Sequence, residues 1–285
     1  MTNRRQRPPS PCDAPLDVAA LLPRFLRAKG DAGLRPVYVR SLRQLLAQFS
    51  AHVTGIPVTE IDPEQLESFL ARFPSPASRA SNLGRLASFF SWCRRRGLIR
   101  ESPADRLDRI RLEPTPPAIL TPTQAARLVE ECVLNFVSIV GWLALTLFAG
   151  IRPAEAVALA WPDVDVDRAL VSVLRTKNRR RRVVPLRPAA LALLAVASAA
   201  RVALCPPVAT LRRHRRALAL RSGIVWSQDV LRHTCATYWV ASGAPVHEVA
   251  DHLGHSPEIL RRHYREVASR AQAEAFWAIR PPEPK

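Results

Sequence analysis

Lysine is almost missing from this chain of 285 residues. Of 42 basic residues only Lys29, Lys177 and Lys285 are lysines, and the rest are arginines. Tyrosine is equally scarce, at Tyr38, Tyr238 and Tyr264 alone. The five cysteines, Cys12, Cys93, Cys132, Cys205 and Cys235, are odd in number and form no CxxC pair. That argues against a disulfide framework or a cysteine zinc site and fits reduced, mostly buried thiols in a cytosol. His252 and His255 have HxxH spacing, but no cysteine or carboxylate pair joins them, so no metal is expected. Long apolar runs are missing too. The longest, Val133 to Gly150, contains Asn135, Ser138 and Thr146 and reads as a buried helix, not a membrane span. Residues 1–14 are rich in Arg and Pro and lack an apolar stretch, so they read as a disordered basic arm, not a signal peptide, and a cytoplasmic location is expected.

Negative charge is the other shortage. Asp and Glu number 24, which leaves a formal net charge of +18 and a pI near 11.3. A compact protein with this excess repels itself, and a polyanionic partner, double-stranded DNA above all, is the natural reading. A basic surface from a general bias toward arginine is the plainer alternative.

Periodicity predicts a mainly α-helical chain in two parts. In residues 15–108, helices are expected from Leu16 to Ala28, from Arg35 to about Val53, from Pro63, and from about Ala77 to Arg96, with Gly30 and Gly97 as stops. Residues 109–120, with Pro114, Pro116 and Pro117, read as a linker. Thr121-Pro122-Thr123-Gln124 has the form of a capping box, so a second domain is expected over 121–275, followed by a tail at 276–285. Its first helical stretch is expected to end near Gly150. Ala169 to Leu174 and Arg182 to Leu186 are rich in β-branched residues and flank a polar tip, as in a β-hairpin or small sheet.

Four local patterns in the second part carry chemistry. They are Gly150-Ile151-Arg152 with Glu155; Lys177 in a basic hairpin closing on Val184-Pro185-Leu186; Asp229 to His233 around Arg232; and Leu253-Gly254-His255-Ser256 with Tyr264 nine residues after His255. Together, in this order, they resemble the tyrosine recombinase or phage integrase family over roughly residues 15–275. The resemblance implies a helical core-binding domain, continuing to the Ser102-Pro103-Ala104 exit, and an α-rich catalytic domain. It implies catalytic roles for Arg152, Lys177, Arg232, His255 and Tyr264. It also implies site-specific DNA recombination through a 3′-phosphotyrosine, without metal or nucleotide cofactor, in a tetramer holding paired sites.

Elementary chemistry agrees with those roles. Two guanidiniums can hold the non-bridging oxygens of a phosphodiester, although an isolated arginine more often serves a structural ion pair. Glu155, three residues beyond Arg152, is placed to orient it. Lysine can release a proton that arginine keeps, so Lys177 amid Arg175 and Arg179 to Arg182 suits a general acid; the alternative is one chance lysine. Tyr264 sits amid Arg261, Arg262, His263 and Arg265, a setting that stabilises phenolate. Tyr238, beside Trp239, reads as core, and His233 as a packing residue. Arg94, Arg95, Arg96, Arg179, Arg180, Arg181, Arg212, Arg213, Arg261 and Arg262 are candidate phosphate contacts, with a solvated basic face as the alternative.

One position departs from the family pattern. Where His or Lys is usual, three residues before Arg232, this chain has Asp229. Either that carboxylate pairs with a nearby arginine, Arg232 itself among the candidates, or the catalytic set is weakened and the chain is an integrase-like DNA-binding protein. A topoisomerase IB-like enzyme is the other rival; a helix-turn-helix regulator would explain the charge but not the four patterns. Ala275, Phe276 and Ile279 lie at helical spacing, and the resemblance suggests that this C-terminal segment docks on a neighbouring protomer, with Phe276 and Trp277 as exposed anchors. Packing on its own domain is the alternative.

Overall fold

Proline opens half of the described α-helices. Its missing N–H is not needed at the first helical position, and its fixed φ already suits the helix. In the computed structural model, which describes residues 16–112, 117–173, 182–254 and 267–282, the chain divides into two compact units, Met1–Pro114 and Thr115–Lys285.

The first unit holds α1 (Val18–Asp31), α2 (Pro36–His52), α3 (Pro63–Ala71) and α4 (Pro76–Arg95). Asp17 caps α1 by accepting from Ala20 N–H at 2.8 Å, and Asp62 and Gln65 form a reciprocal capping box on α3. Gly30 falls inside the last turn of α1, which stops only at Ala32 and Gly33. The core is aromatic. Phe25 meets Phe89 edge-on at 5.3 Å and Trp92 at 5.6 Å, while Phe49 meets Phe69 at 5.1 Å and Phe90 at 6.0 Å. Leu107 and residues before it pack beneath this core, so the unit buries its apolar stripes without outside help.

The second unit begins where Thr121 and Gln124 build the expected capping box on α5 (Pro122–Asn135). The stretch to Gly150 is not one helix. Phe136 leaves helical geometry at φ −141°, and a 3₁₀ turn (Val137–Ile139), α6 (Val140–Leu143) and a π turn (Ala144–Phe148) follow. Gly141, within α6, lets the chain at Leu204 come close, because a Cβ there would lie 2.4 Å from the Leu204 carbonyl oxygen. Short α7 (Pro153–Ala156) leads to an antiparallel sheet of β1 (Val164–Asp165), β2 (Leu170–Val173) and β3 (Arg182–Pro185), in the order β1-β2-β3. The hairpin strands lie where expected; the short β1 edge was not anticipated. Then come α8 (Pro188–Ala199), α9 (Val208–Ser222), α10 (Val230–Ala241), α11 (Val246–Leu253) and α12 (Arg270–Trp277). No helix among the described residues is long and apolar enough to cross a membrane.

Helix α10 organises this unit. Thr234 Oγ1 accepts from Leu120 N–H at 2.9 Å, and Tyr238 Oη donates to the Leu120 carbonyl at 3.0 Å, so the start of the unit is fastened to α10 from both sides. Tyr238 is buried, as its apolar surroundings in the sequence indicate.

The C-terminal expectation needs correction. The segment does not turn outward at residue 276, because α12 runs through Trp277 and packs against α10 and α5 of its own unit. Phe276 is fully buried, stacked on Tyr238 at 4.6 Å and against Phe148 at 5.0 Å. Trp277 donates from Nε1 to the Tyr238 carbonyl at 3.3 Å. The buried stripe is Ala273, Phe276 and Ile279, while Ala275 is exposed. The physical reason is spacing: Ser269 and Gln272 cap the helix in a register that aims residues 273, 276 and 279 at the unit's own core.

Candidate active site

Gly150 starts the site. Its φ of +61° suits glycine, and a Cβ there would come within 2.3 Å of Leu253 Cδ2 and 3.1 Å of Cys235 Sγ. The turn brings α7 over α10 and α11 and directs the Gly150 carbonyl inward. Arg232, in the first turn of α10, donates from Nη1 to that carbonyl at 2.5 Å and from Nη2 to the Leu253 carbonyl at 2.5 Å. Only 2% of Arg232 is exposed. Burial first, then the charges of Arg152 and Arg182, push its pKa down to about 9, against the opposing pull of Glu155 and Cys235. It therefore stays charged near neutral pH in a dry setting.

Arg152 stands one residue before α7 and is the most open of the group, with 29% of its side chain exposed. It donates to Glu155 Oε1 at 3.0 Å and, from Nη2, to the Gly254 carbonyl. Gly254, at φ +65°, ends α11 in the left-handed conformation, so its carbonyl and the chain leading to His255 face the arginines. Glu155 is buried. Burial alone would raise its pKa, but the hydrogen bonds and charges of Arg182 and Arg152 outweigh that and hold the carboxyl below its usual range.

Arg182 is a site residue that sequence reasoning read only as the start of a hairpin strand and one of the arginines around Lys177. It donates from Nη2 to Glu155 Oε2 at 2.6 Å and from Nε to the His252 carbonyl at 3.0 Å, and it is 90% buried by side-chain area, since only 10% is exposed. The signal was present in the strand pattern. In β3, Arg182 shares a face with buried Val184 and opposes buried Val173, whereas Val183 points outward. Three guanidiniums thus surround one carboxylate among the described residues.

The expected pairing of Asp229 with an arginine is not seen among the described residues. Among the described residues no arginine lies within ion-pair distance of its carboxylate, and the described bonds of Arg232 go to main-chain carbonyls. The reason is backbone geometry: Asp229 precedes α10 at φ +56° and lines a cavity of about 320 Å³ with Trp142, Pro153, Arg215 and Trp226. His233 is half-buried, and its N–H bonds to the Asp229 carbonyl at 2.9 Å. Lys177, Arg179, Arg180, Arg181, His255, Arg261, Arg262 and Tyr264 lie outside the described residues.

Among the described residues, the other candidate contacts make no bond to this cluster. Arg94 pairs with Asp105 at 2.6 Å, Arg95 is exposed, and Arg96 lies over the Trp92 ring at 5.7 Å, all in the first unit. Arg212 and Arg213 are exposed on α9. Behind the site, the Arg187 guanidinium sits 5.0 Å from the Trp239 ring centre and 4.3 Å from that of Trp277, clasping α8, α10 and α12 together. No group of three or more His, Cys, Asp or Glu among the described residues is arranged to hold a metal ion.

Comparison with known proteins places this arrangement. A family model described as the phage integrase family matches residues 118–270, more than half of the chain. Tyrosine recombinase XerC of Xanthomonas campestris pv. campestris (strain B100) is 29% identical over 264 residues, covering 86% of this chain and 81% of that protein. Tyrosine recombinase XerC of Mycobacterium sp. (strain KMS) is 29% identical over 265 residues, covering 82% and 87%. Among solved structures, the Tn1549 transposon integrase in complex with a circular intermediate DNA matches with a TM-score of 0.73 at 16% identity, over 91% of this chain and 98% of that one. A lambda integrase tetramer bound to a Holliday junction matches with a TM-score of 0.71 at 13% identity, over 89% and 83%. At these identities the structures establish likeness of fold, and the family match extends across the arginine cluster and all four sequence patterns: the chain belongs to the phage integrase family, the tyrosine recombinases.

Proposed function

We propose that this protein is a site-specific DNA recombinase that cleaves and rejoins strands through a 3′-phosphotyrosine on Tyr264. The observation that carries the reading is the cationic cradle in which Arg152 and Arg182 share one carboxylate, Glu155, beside buried Arg232, which feels the charges of all three, in a largely dry setting. Guanidinium N–H groups gathered in one place bind anions strongly, and a phosphodiester is an anion of the geometry they fit. The overall charge of +18 draws DNA to that cradle.

In the proposed reaction, Tyr264 gives up its phenolic proton to solvent, its Oη attacks the scissile phosphorus, and the bond to the 5′-oxygen breaks. Arg152, Arg232 and His255 stabilise the negative charge that gathers on the non-bridging oxygens. Lys177 gives its proton to the departing 5′-oxygen, which leaves as a hydroxyl. Attack of another 5′-hydroxyl on the phosphotyrosine reverses these bonds and joins the new strand. The phosphotyrosine conserves the bond energy, so the cycle consumes no nucleotide. Assembly of four copies on paired DNA sites belongs to the same proposal; since α12 packs on its own unit, the C-terminal segment would take part only after leaving that seat.

The test is a suicide DNA substrate that traps covalent protein. The parent is expected to form the adduct, and Tyr264→Phe to form none while binding DNA with nearly unchanged affinity. An adduct that persists in Tyr264→Phe overturns the assignment of the nucleophile. Asp229 favours a second reading, a DNA-binding protein with a weakened site, because its carboxylate stands where the family pattern has a cation and pairs with no described arginine. Under that reading the parent is nearly inactive and Asp229→His restores the adduct.

A further inference from the structure

Arg182 is bound into the site at two points and has a third to spare. Strand β3 turns it inward, the His252 carbonyl fixes Nε at 3.0 Å, and Nη2 holds Glu155 Oε2 at 2.6 Å. Its Nη1 is buried and has no hydrogen-bond partner. A Cβ added at Gly254 would lie 3.4 Å from Arg152 Nη1 and 3.6 Å from Arg182 Nη1, so both guanidinium tips converge beside the residue that precedes His255.

The division of Glu155 between two arginines is the informative feature. A carboxylate next to a guanidinium tends to close a two-bond fork, the strongest geometry available to the pair. Arg152 and Glu155 are three residues apart on one short helical turn and are well placed to do so. They do not: Arg152 holds only Oε1, and Arg182 occupies Oε2. We propose that Arg182 is a positioning residue that takes the second oxygen of Glu155, stops Arg152 from closing a two-bond pair, and so keeps the Arg152 guanidinium turned toward the phosphate. The proposal rests on the recombinase reading above, and three observations bear on it.

The first is exposure. Arg152, at 29%, is the described arginine of the site with most surface to offer a ligand, whereas Arg182 is at 10%. The second is anchoring. Arg182 is fixed by a strand and by a main-chain carbonyl of α11, so it cannot follow Glu155 if that side chain swings toward Arg152. The third is charge. With Arg182 in place the carboxylate is shared by two cations and neutralises neither fully. The unpartnered Nη1 adds positive potential on the side where Arg152 is open.

The test compares parent, Arg182→Gln, Glu155→Gln and the double variant for the single-turnover rate of covalent adduct formation, DNA affinity and thermal melting. Arg182→Gln is expected to lose about 10²-fold in rate, the effect of a misplaced catalytic group, with DNA affinity within about threefold of the parent. Adding Glu155→Gln should restore at least about tenfold, because the amide offers Arg152 no ionic fork. A crystal structure of Arg182→Gln should show Arg152 on both oxygens of Glu155. Should Arg182→Gln melt too low to assay, Arg182→Lys, which keeps one charged bond to Oε2 but cannot reach the His252 carbonyl in the same way, takes its place with a smaller loss expected. The proposal is overturned by an Arg182→Gln protein that cleaves like the parent, by a double variant no faster than Arg182→Gln, or by a crystal structure in which Arg152 keeps a single oxygen. A parent that forms no adduct instead sinks the recombinase reading, and the crystallographic comparison still decides the positioning one.

Discussion

At the scale of single residues, Gly150 and Lys177 answer to different demands. Gly150 combines a left-handed backbone with a neighbour 2.3 Å from where a Cβ would stand. Gly150→Ala therefore meets strain and overpacking together, and stability should fall by about 3 kcal/mol or more. Denaturant unfolding checks this, and a loss below about 1 kcal/mol would mean that the turn rearranges cheaply. Lys177 concerns protons, not space. Lys177→Arg keeps the charge but removes the transferable proton, so cleavage should drop about 10²-fold or more. A substrate with a 5′-sulfur leaving group, which needs no acid, should recover most of that loss; failure to recover it would rule out the general-acid role. Residues of this kind were conspicuous in the sequence because their chemistry is rare in this chain: one lysine among the arginines of a hairpin, one tyrosine in a basic run. Arg182 was not, since a fifth arginine in a basic hairpin looks like its neighbours until the pleat of β3 shows which way it points.

At the scale of elements, caps and turns were the readable part. Thr121 with Gln124 and the proline-led starts of α2 and α3 stand where the sequence puts them, because those signals depend on the chain within a few residues. The irregular stretch between Asn135 and Gly150 carries no such local signal; its Gly141 is explained only by the close approach of Leu204, far away in sequence. The same limit applies to α12. Its apolar stripe was visible, but a stripe does not say whose core it enters. Phe276, buried against Tyr238 and Phe148, should now be costly to remove: Phe276→Ala should destabilise the isolated protein by about 3–5 kcal/mol. Deleting residues 270–285 should lower the melting temperature of the monomer and not merely its assembly. An unchanged melt after that deletion would return the helix to the role of a free docking arm.

At the scale of the whole molecule, each unit owns a separate apolar core, one aromatic and one centred on α10 and the π turn. A fragment beginning at residue 118 should therefore fold alone, with a cooperative melt and dispersed amide resonances; a fragment that stays unfolded would show that the cores depend on each other. The two-part layout could be read from composition, since prolines crowd the stretch between the cores. What could not be read is that both margins of the second unit meet at one side chain. Tyr238 gives its hydroxyl to Leu120, where the unit begins, and its ring face to Phe276, near where the chain ends. Any process that lifts α12 away strips one side of the ring whose other end moors Leu120. The tyrosine then works as a latch pin shared by two doors: opening the rear one loosens the hinge of the front one, and neither movement needs to pass through the arginines around Glu155.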